Sequence, residues 1–141
     1  MNTTKTKERL FDIFIAEDNN DDVFLIKLAL SEYFLQSNLL IANNGKTAIQ
    51  LFNELITQNK KLPDLIILDI NLPMINGIEV LREIKSKDIS KSIPTVIFTS
   101  SDSTSDMNYC YENGADLYIR KPNNINDFKK IVGYIKEYFL L

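Results

Sequence analysis

Short apolar runs alternate along the chain with longer stretches of helical periodicity. The runs cover residues 10–16, 38–42, 64–69, 95–100 and 116–120. Between them apolar residues recur three or four positions apart, as in Val23, Ile26 and Leu30, which is the spacing of one helix face. Strands that alternate with helices are joined by βαβ crossovers and form parallel sheets. The pattern therefore predicts an α/β domain.

The apolar runs show little alternation of polarity, which is expected of strands that helices cover on both faces. Five strand–helix units without an internal repeat favour one doubly wound sheet in the flavodoxin-like strand order 2-1-3-4-5, with five helices. Residues 1–9 are polar and predict a flexible tail. We therefore expect one domain over residues 10–141, a length that a single domain commonly has.

Composition excludes several classes of protein. The chain has no histidine, so it has no Ser-His-Asp triad and no histidine-ligated zinc or haem. A net charge of −3 argues against a protein whose main task is to bind nucleic acid or an anionic membrane. The single cysteine, Cys110, cannot form an internal disulfide and fits a reducing compartment. We expect a cytoplasmic protein whose partners are neither nucleic acid nor membrane.

Polar side chains follow four of the five predicted strands. They are Glu17 and Asp18 after the first strand, Asp69 after the third, Thr99 and Ser100 at the end of the fourth, and Lys121 after the fifth. Ligand sites of open parallel sheets form at the carboxyl ends of the strands, so these side chains are expected in one crevice. The next acids, Asp21 and Asp22, are interpreted as favourable charge at a helix N-terminus.

This predicted cluster has a chemical logic. Three carboxylates raise one another's pKa unless a cation joins them. Oxygen ligands of this kind suit Mg²⁺. A bound Mg²⁺ would keep one carboxylate anionic as a nucleophile, and a hydroxyl and a lysine could hold phosphoryl oxygens.

Four segments resemble the receiver domain of two-component response regulators. They are "FIAEDNNDD" after the first strand, "LIILDINLPMINGIEVLREIK" around the third, "IPTVIFTSS" at the fourth and "GADLYIRKP" at the fifth. Together they extend the resemblance from about Leu10 to Phe139. The spacing from Asn38 to Pro63, the run "LDINLP" and the aromatic C-terminal tail are most similar to stand-alone regulators of the phytochrome-associated type.

The resemblance implies a role for each matched side chain. Asp69 corresponds to the phosphoacceptor, Lys121 to the lysine that holds the phosphoryl group, and Thr99 to the switch hydroxyl. Tyr118 corresponds to the aromatic that turns inward when the hydroxyl moves. Pro122 corresponds to a proline that follows the lysine through a cis bond, an uncommon geometry.

The resemblance also implies a metal site. Glu17, Asp18, Asp69 and the backbone carbonyl of Asn71 correspond to the ligands of Mg²⁺, for which Mn²⁺ can substitute. The Glu-Asp pair stands where many relatives have Asp-Asp, a common variant.

The implied function is a phosphorylation-controlled switch, which catalyses only its own phosphorylation and slow dephosphorylation. A sensor histidine kinase or a histidine phosphotransfer protein would donate the phosphoryl group in trans, because this chain has no histidine. A downstream protein target is expected on the face of the fourth helix, fifth strand and fifth helix. The same face, or the aromatic tail "EYFLL", is a candidate homodimer surface.

Three other functions fit parts of the pattern. A phosphatase of the haloacid dehalogenase type needs a second Asp two residues after Asp69, where Asn71 stands. A flavodoxin-like cofactor binder needs a Ser/Thr/Gly-rich anion loop after the first strand, where acidic residues stand. A degenerate receiver, which is an interaction module independent of phosphorylation, typically lacks an acid, the hydroxyl or the lysine. The degenerate receiver remains the alternative hypothesis.

Overall fold

The predicted parallel sheet is present in the computed structural model, which describes residues 10–34 and 36–139. Its five strands lie in the order β2-β1-β3-β4-β5, and all neighbouring pairs are parallel. The strands are β1 (Phe11–Ala16), β2 (Ser37–Ala42), β3 (Leu65–Leu68), β4 (Thr95–Thr99) and β5 (Leu117–Arg120). The helices are α1 (Asn20–Tyr33), α2 (Gly45–Thr57), α3 (Gly77–Lys85), α4 (Thr104–Glu112) and α5 (Ile125–Phe139). The predicted fold class and strand order are confirmed.

The central strands are covered on both faces. Every residue of β3 and β4 is buried, because alternate side chains of a strand point to opposite faces and each face has its own apolar layer. On one face Phe14 meets Phe52 of α2 edge-on, with 5.8 Å between ring centroids. On the other face Phe98 meets Phe128 of α5 at 5.2 Å. These layers make the strands rigid supports for the residues that follow them.

Each helix begins beside the C-terminal edge of the sheet, where a short polar side chain caps its first turn. The caps are Asn19, Asn44, Asn76 and Ser103 for α1 to α4, and Asn124 accepts the N–H of Asp127 in α5. Such side chains satisfy N–H groups that have no partner within the helix. The caps therefore fix where each loop ends and its helix begins.

The start of α3 lies directly against Asp69. A Cβ atom on Gly77 would overlap the backbone carbonyl of Asp69, so a residue with a side chain would push helix and strand apart. The Gly77 N–H also donates to the carbonyl of Ile70 at 2.8 Å. Both contacts fix the backbone around the carboxylate that ends β3.

None of the helices within the described residues combines the length and the apolar character that crossing a membrane requires. The predicted tail, residues 1–9, and the last two residues of the aromatic C-terminus, Leu140 and Leu141, lie outside the described residues. The domain boundaries at these ends stay a prediction.

Candidate functional site

Four of the predicted site residues come together at the C-terminal edge of the sheet. Glu17 directly follows β1 and Asp69 directly follows the adjacent β3, and the Asp69 N–H donates to the carbonyl of Ala16 at 3.0 Å. Thr99 ends β4, and its carbonyl accepts the N–H of Lys121 at 2.8 Å. The parallel register therefore brings together residues that are far apart in sequence.

Three carboxylates at this edge are close enough to share a cation. Glu17, Asp18 and Asp69 each offer an oxygen within 4.8 Å of the other two. Glu17 and Asp69 are buried, with exposed fractions of 2% and 4%, whereas Asp18 is exposed to solvent. Two buried carboxylates and one exposed carboxylate form a group of hard oxygen ligands with an open side, which fits a divalent cation that keeps some of its water.

The ammonium of Lys121 lies among three carboxylates. Its Nζ is 2.8 Å from Glu17 Oε1, 2.8 Å from Asp22 Oδ2 and 3.0 Å from Asp69 Oδ2. Burial alone would lower the pKa of Lys121, but hydrogen bonds to Asp22, Glu17 and Asp69 outweigh burial and raise this pKa above its usual value. The lysine is therefore charged at every physiological pH.

Burial raises the pKa of the Glu17 carboxyl to about 7. The hydrogen bond from Lys121 acts in the opposite direction, and the neighbouring charge of Asp69 adds to the increase. In the absence of a cation, the Glu17 carboxyl thus gains or loses a proton near neutral pH. A divalent cation would favour the anionic form of Glu17, as metal binding does for carboxylates in general.

Asp22 lies in the site, although its sequence position predicts only charge at a helix N-terminus. Its interpretation as helix-terminal charge is incomplete, because its side chain contacts Lys121 across 99 positions of sequence. Asn19 caps α1 and accepts the N–H of Asp22 at 3.0 Å, so the two side chains belong to the same capped turn. The signal available in the sequence was this spacing of three from an N-cap residue, which turns Asp22 back toward the loop while Asp21 stays exposed.

Thr99 and Tyr118 both contact Ser101. Thr99 is fully buried, and its Oγ1 accepts the N–H of Ser101 at 3.3 Å. Tyr118 is half-buried and donates its hydroxyl to the Ser101 carbonyl at 2.9 Å. The Ser101 hydroxyl in turn donates to Asp106 in the first turn of α4 at 2.7 Å. Ser101 thus connects Thr99 to both the Tyr118 side chain and the start of α4.

Asn71 and Pro122 line the same crevice as the carboxylates. The Asn71 N–H donates to Asp69 Oδ1 at 3.2 Å, which places Asn71 beside the predicted phosphoacceptor. The cis bond expected before Pro122 is not found: the described residues contain no cis peptide bond. The bond between Lys121 and Pro122 is therefore trans, the more stable isomer even before proline.

Comparisons with known proteins show which family this chain resembles. The family model of the response regulator receiver domain matches residues 13–133. The response regulator Rcp1 of Synechocystis is 33% identical over 91% of this chain and 88% of its own length. A probable methanogenesis regulatory protein, FilR2 of Methanothrix harundinacea, is 34% identical over 92% of this chain and 84% of its own.

Solved structures share the fold over almost the whole chain. The phosphorylated cyanobacterial phytochrome response regulator RcpA superposes with a TM-score of 0.85 at 34% identity, covering 94% of this chain and 95% of its own. The Mn²⁺-bound form of Rcp1 has a TM-score of 0.80 at 33% identity, covering 92% of this chain and 94% of its own. The resemblance to phytochrome-associated regulators is thereby confirmed. This chain belongs to the response regulator receiver domain family of two-component signalling.

Proposed function

We propose that Asp69 accepts a phosphoryl group from a phosphorylated histidine of a sensor kinase or a histidine phosphotransfer protein, in a reaction that depends on Mg²⁺. The observation that carries the proposal is the position of the Asp69 carboxylate. It is buried at the end of β3, close enough to Glu17 and Asp18 to share a divalent cation with them, and 3.0 Å from the Lys121 ammonium.

The residues present fit a hard divalent cation. Glu17, Asp18 and Asp69 supply carboxylate oxygens, and the backbone carbonyl of Asn71, beside Asp69, is the fourth proposed ligand. Oxygen-only ligands with room for water suit Mg²⁺ and accept Mn²⁺. When bound, the cation would neutralise charge on the incoming phosphoryl group and keep the carboxylates anionic.

The side chains then have distinct tasks in the transfer. A carboxylate oxygen of Asp69 forms the new bond to phosphorus, and the bond from phosphorus to the donor's histidine nitrogen breaks. Lys121 donates a hydrogen bond to a phosphoryl oxygen, because its ammonium already lies beside Asp69. The Thr99 hydroxyl, at the end of the neighbouring strand, stabilises another phosphoryl oxygen. The protein turns over no separate substrate, so we do not regard it as an enzyme in the usual sense.

Phosphorylation would act on partner binding through Ser101. If Thr99 turns toward the phosphoryl group, it loses the Ser101 N–H, and the contacts of Ser101 with Tyr118 and Asp106 are disturbed. The face of α4, β5 and α5 would then change shape, which is how a local charge biases a bistable element. A downstream protein or a second copy of this chain is the proposed partner there, and the cytoplasm is its proposed location.

Intact mass after incubation with acetyl phosphate tests the proposal. We expect one added phosphoryl group in the presence of Mg²⁺, none with a chelator, and none in Asp69→Asn. The matched control is Asp64→Asn, because Asp64 precedes the same strand at the opposite edge of the sheet. An Asp69→Asn variant that still gains the phosphoryl group would disprove Asp69 as the acceptor. If the wild-type protein gains none, the degenerate receiver becomes the better description.

A further inference from the structure

The contact between Lys121 and Asp22 is not explained by the metal site. Asp22 lies in the first turn of α1, and its Oδ2 is 2.8 Å from Lys121 Nζ. Within the described residues, the carboxylates close enough to share a cation are Glu17, Asp18 and Asp69. Asp22 therefore belongs to the surroundings of the lysine and not to this ligand group.

The contacts of Lys121 divide into two kinds. An ammonium has three N–H groups, and here each can meet one carboxylate. Glu17 and Asp69 are also candidate ligands of a cation, which would compete with the lysine for their oxygens. Asp22 is not one of the candidate ligands. It can therefore keep its contact with Lys121 when the other two carboxylates bind a cation or a phosphoryl group.

Helix capping does not account for the Asp22 side chain. The cap of α1 is Asn19, whose side chain accepts the N–H of Asp22. Asp21 occupies the same first turn and supplies the same favourable charge at the helix N-terminus, but it is exposed. The two aspartates thus differ in the contact with Lys121, which is 11% exposed.

We propose that Asp22 is a positioning residue for phosphoryl transfer, which holds the Lys121 ammonium beside Asp69 so that one N–H is available to a phosphoryl oxygen. This inference rests on the proposed function. Asp22 acts through the lysine and touches neither the phosphoryl group nor the proposed cation. Its loss should slow the transfer without weakening the approach of the phosphodonor, because it removes negative charge from the crevice.

Phosphorylation kinetics with acetyl phosphate and saturating Mg²⁺ provide the first test. We expect the maximal rate of Asp22→Asn to fall roughly tenfold, as for the partial loss of a charge-assisted hydrogen bond. The acetyl phosphate concentration that gives half the maximal rate should not rise. Asp21→Asn is the matched control and should stay within about twofold of wild type. Asp22→Glu, which keeps the charge, should recover most of the rate.

A double-mutant cycle separates positioning from a general structural effect. In a Lys121→Ala background, Asp22→Asn should cause no further loss of rate, because the residue through which it acts is already absent. An equal loss in both backgrounds would overturn the proposal. So would an Asp22→Asn variant as fast as Asp21→Asn. Thermal melting of each variant checks that the domain is folded.

The ammonium signal of Lys121 in ¹H–¹⁵N NMR gives a readout that does not depend on phosphorylation. The signal is assigned by its absence from Lys121→Met. We expect wild type and Asp21→Asn to retain it after Mg²⁺ is added, and Asp22→Asn to lose it through faster exchange with water. Retention in Asp22→Asn with Mg²⁺ would contradict the inference while leaving the proposed function intact. If wild type takes up no phosphoryl group, the proposed function fails, and this inference fails with it.

Discussion

Two lysines gather carboxylates at opposite edges of the same sheet. At the N-terminal edge Lys61 Nζ lies 2.7 Å from Asp12 and 2.9 Å from Asp64, and these contacts join the start of β1 to the loop before β3. At the C-terminal edge Lys121 meets Glu17 and Asp69 at similar distances, and Asp22 as well. The ion-pair distances in the two clusters are alike, although Lys121 has one carboxylate partner more than Lys61.

Exposure to water separates the two clusters. The Lys61 side chain is 58% exposed, whereas Lys121 is 11% exposed. Ion pairs in water gain little, because solvent screens the charges and holding long side chains costs entropy. Buried charges interact strongly, but each depends on its partners to offset the loss of hydration. The N-terminal cluster is therefore a set of ion pairs that solvent weakens. In the C-terminal cluster the buried charges interact strongly and depend on one another.

The largest expected difference between the clusters is in stability. Lys121→Met would leave Glu17 and Asp69 buried without the lysine ammonium. We therefore expect it to lower the free energy of unfolding by about 2 kcal/mol at neutral pH. This is less than the full cost of a broken buried pair, because Glu17 can take up a proton. Lys61→Met should cost less than about 1 kcal/mol. Urea unfolding of both variants measures the difference, and equal costs would contradict the assignment of the two clusters.

The second expected effect is a pH dependence of stability that arises in the C-terminal cluster. Burial raises the pKa of Glu17 from 4.5 to about 7. Between these values the folded protein binds more protons than the unfolded chain. Without a cation, Glu17 therefore makes the protein less stable as pH rises through this window. The raised pKa of Lys121 adds no dependence there, because the lysine stays protonated in both states.

The proposed Mg²⁺ ion would compete with that proton for the Glu17 carboxylate. We expect the affinity for Mg²⁺ to be roughly tenfold weaker at pH 6 than at pH 8, because most Glu17 side chains are protonated at the lower pH. Calorimetric titration measures the affinity directly. Glu17→Gln should remove most of the pH dependence, and Asp64→Asn at the other edge should preserve it. Equal wild-type affinities at both pH values would show that Glu17 is not the titrating ligand.

Most of the fold and the main side chains of the site could be predicted from the sequence. Short apolar runs and helical periodicity indicated the strands, the helices and their order. Glu17, Asp69 and Lys121 each follow a strand, so the sheet alone brings them together. Whether Asp69 is phosphorylated is a separate question, which the mass experiment addresses.

The parts that were not predicted depend on the direction of individual side chains and not on where a strand ends. Asp22 lies in a helix, and only the turn capped by Asn19 directs it toward Lys121. The trans bond before Pro122 is likewise a choice between isomers of nearly equal energy. Asp64, a polar residue just before a buried strand, accepts the N–H of Asp12 at 2.9 Å. Local polarity carries no information about such partners.

The smallest expected effect is the influence of salt on the stability cost of removing each lysine. It tests whether two clusters with similar ion-pair distances differ in their access to solvent ions. Raising ionic strength from about 0.05 M to about 0.5 M brings the Debye length to roughly 4 Å, close to the length of an ion pair. The cost of Lys61→Met should then shrink by a few tenths of a kcal/mol, because solvent ions reach this exposed pair. The cost of Lys121→Met should change less, since buried charges are screened less. Urea unfolding at both salt concentrations provides the measurement. A stronger salt dependence for Lys121 than for Lys61 would mean that water and ions reach the crevice freely, and that burial does not distinguish the two edges.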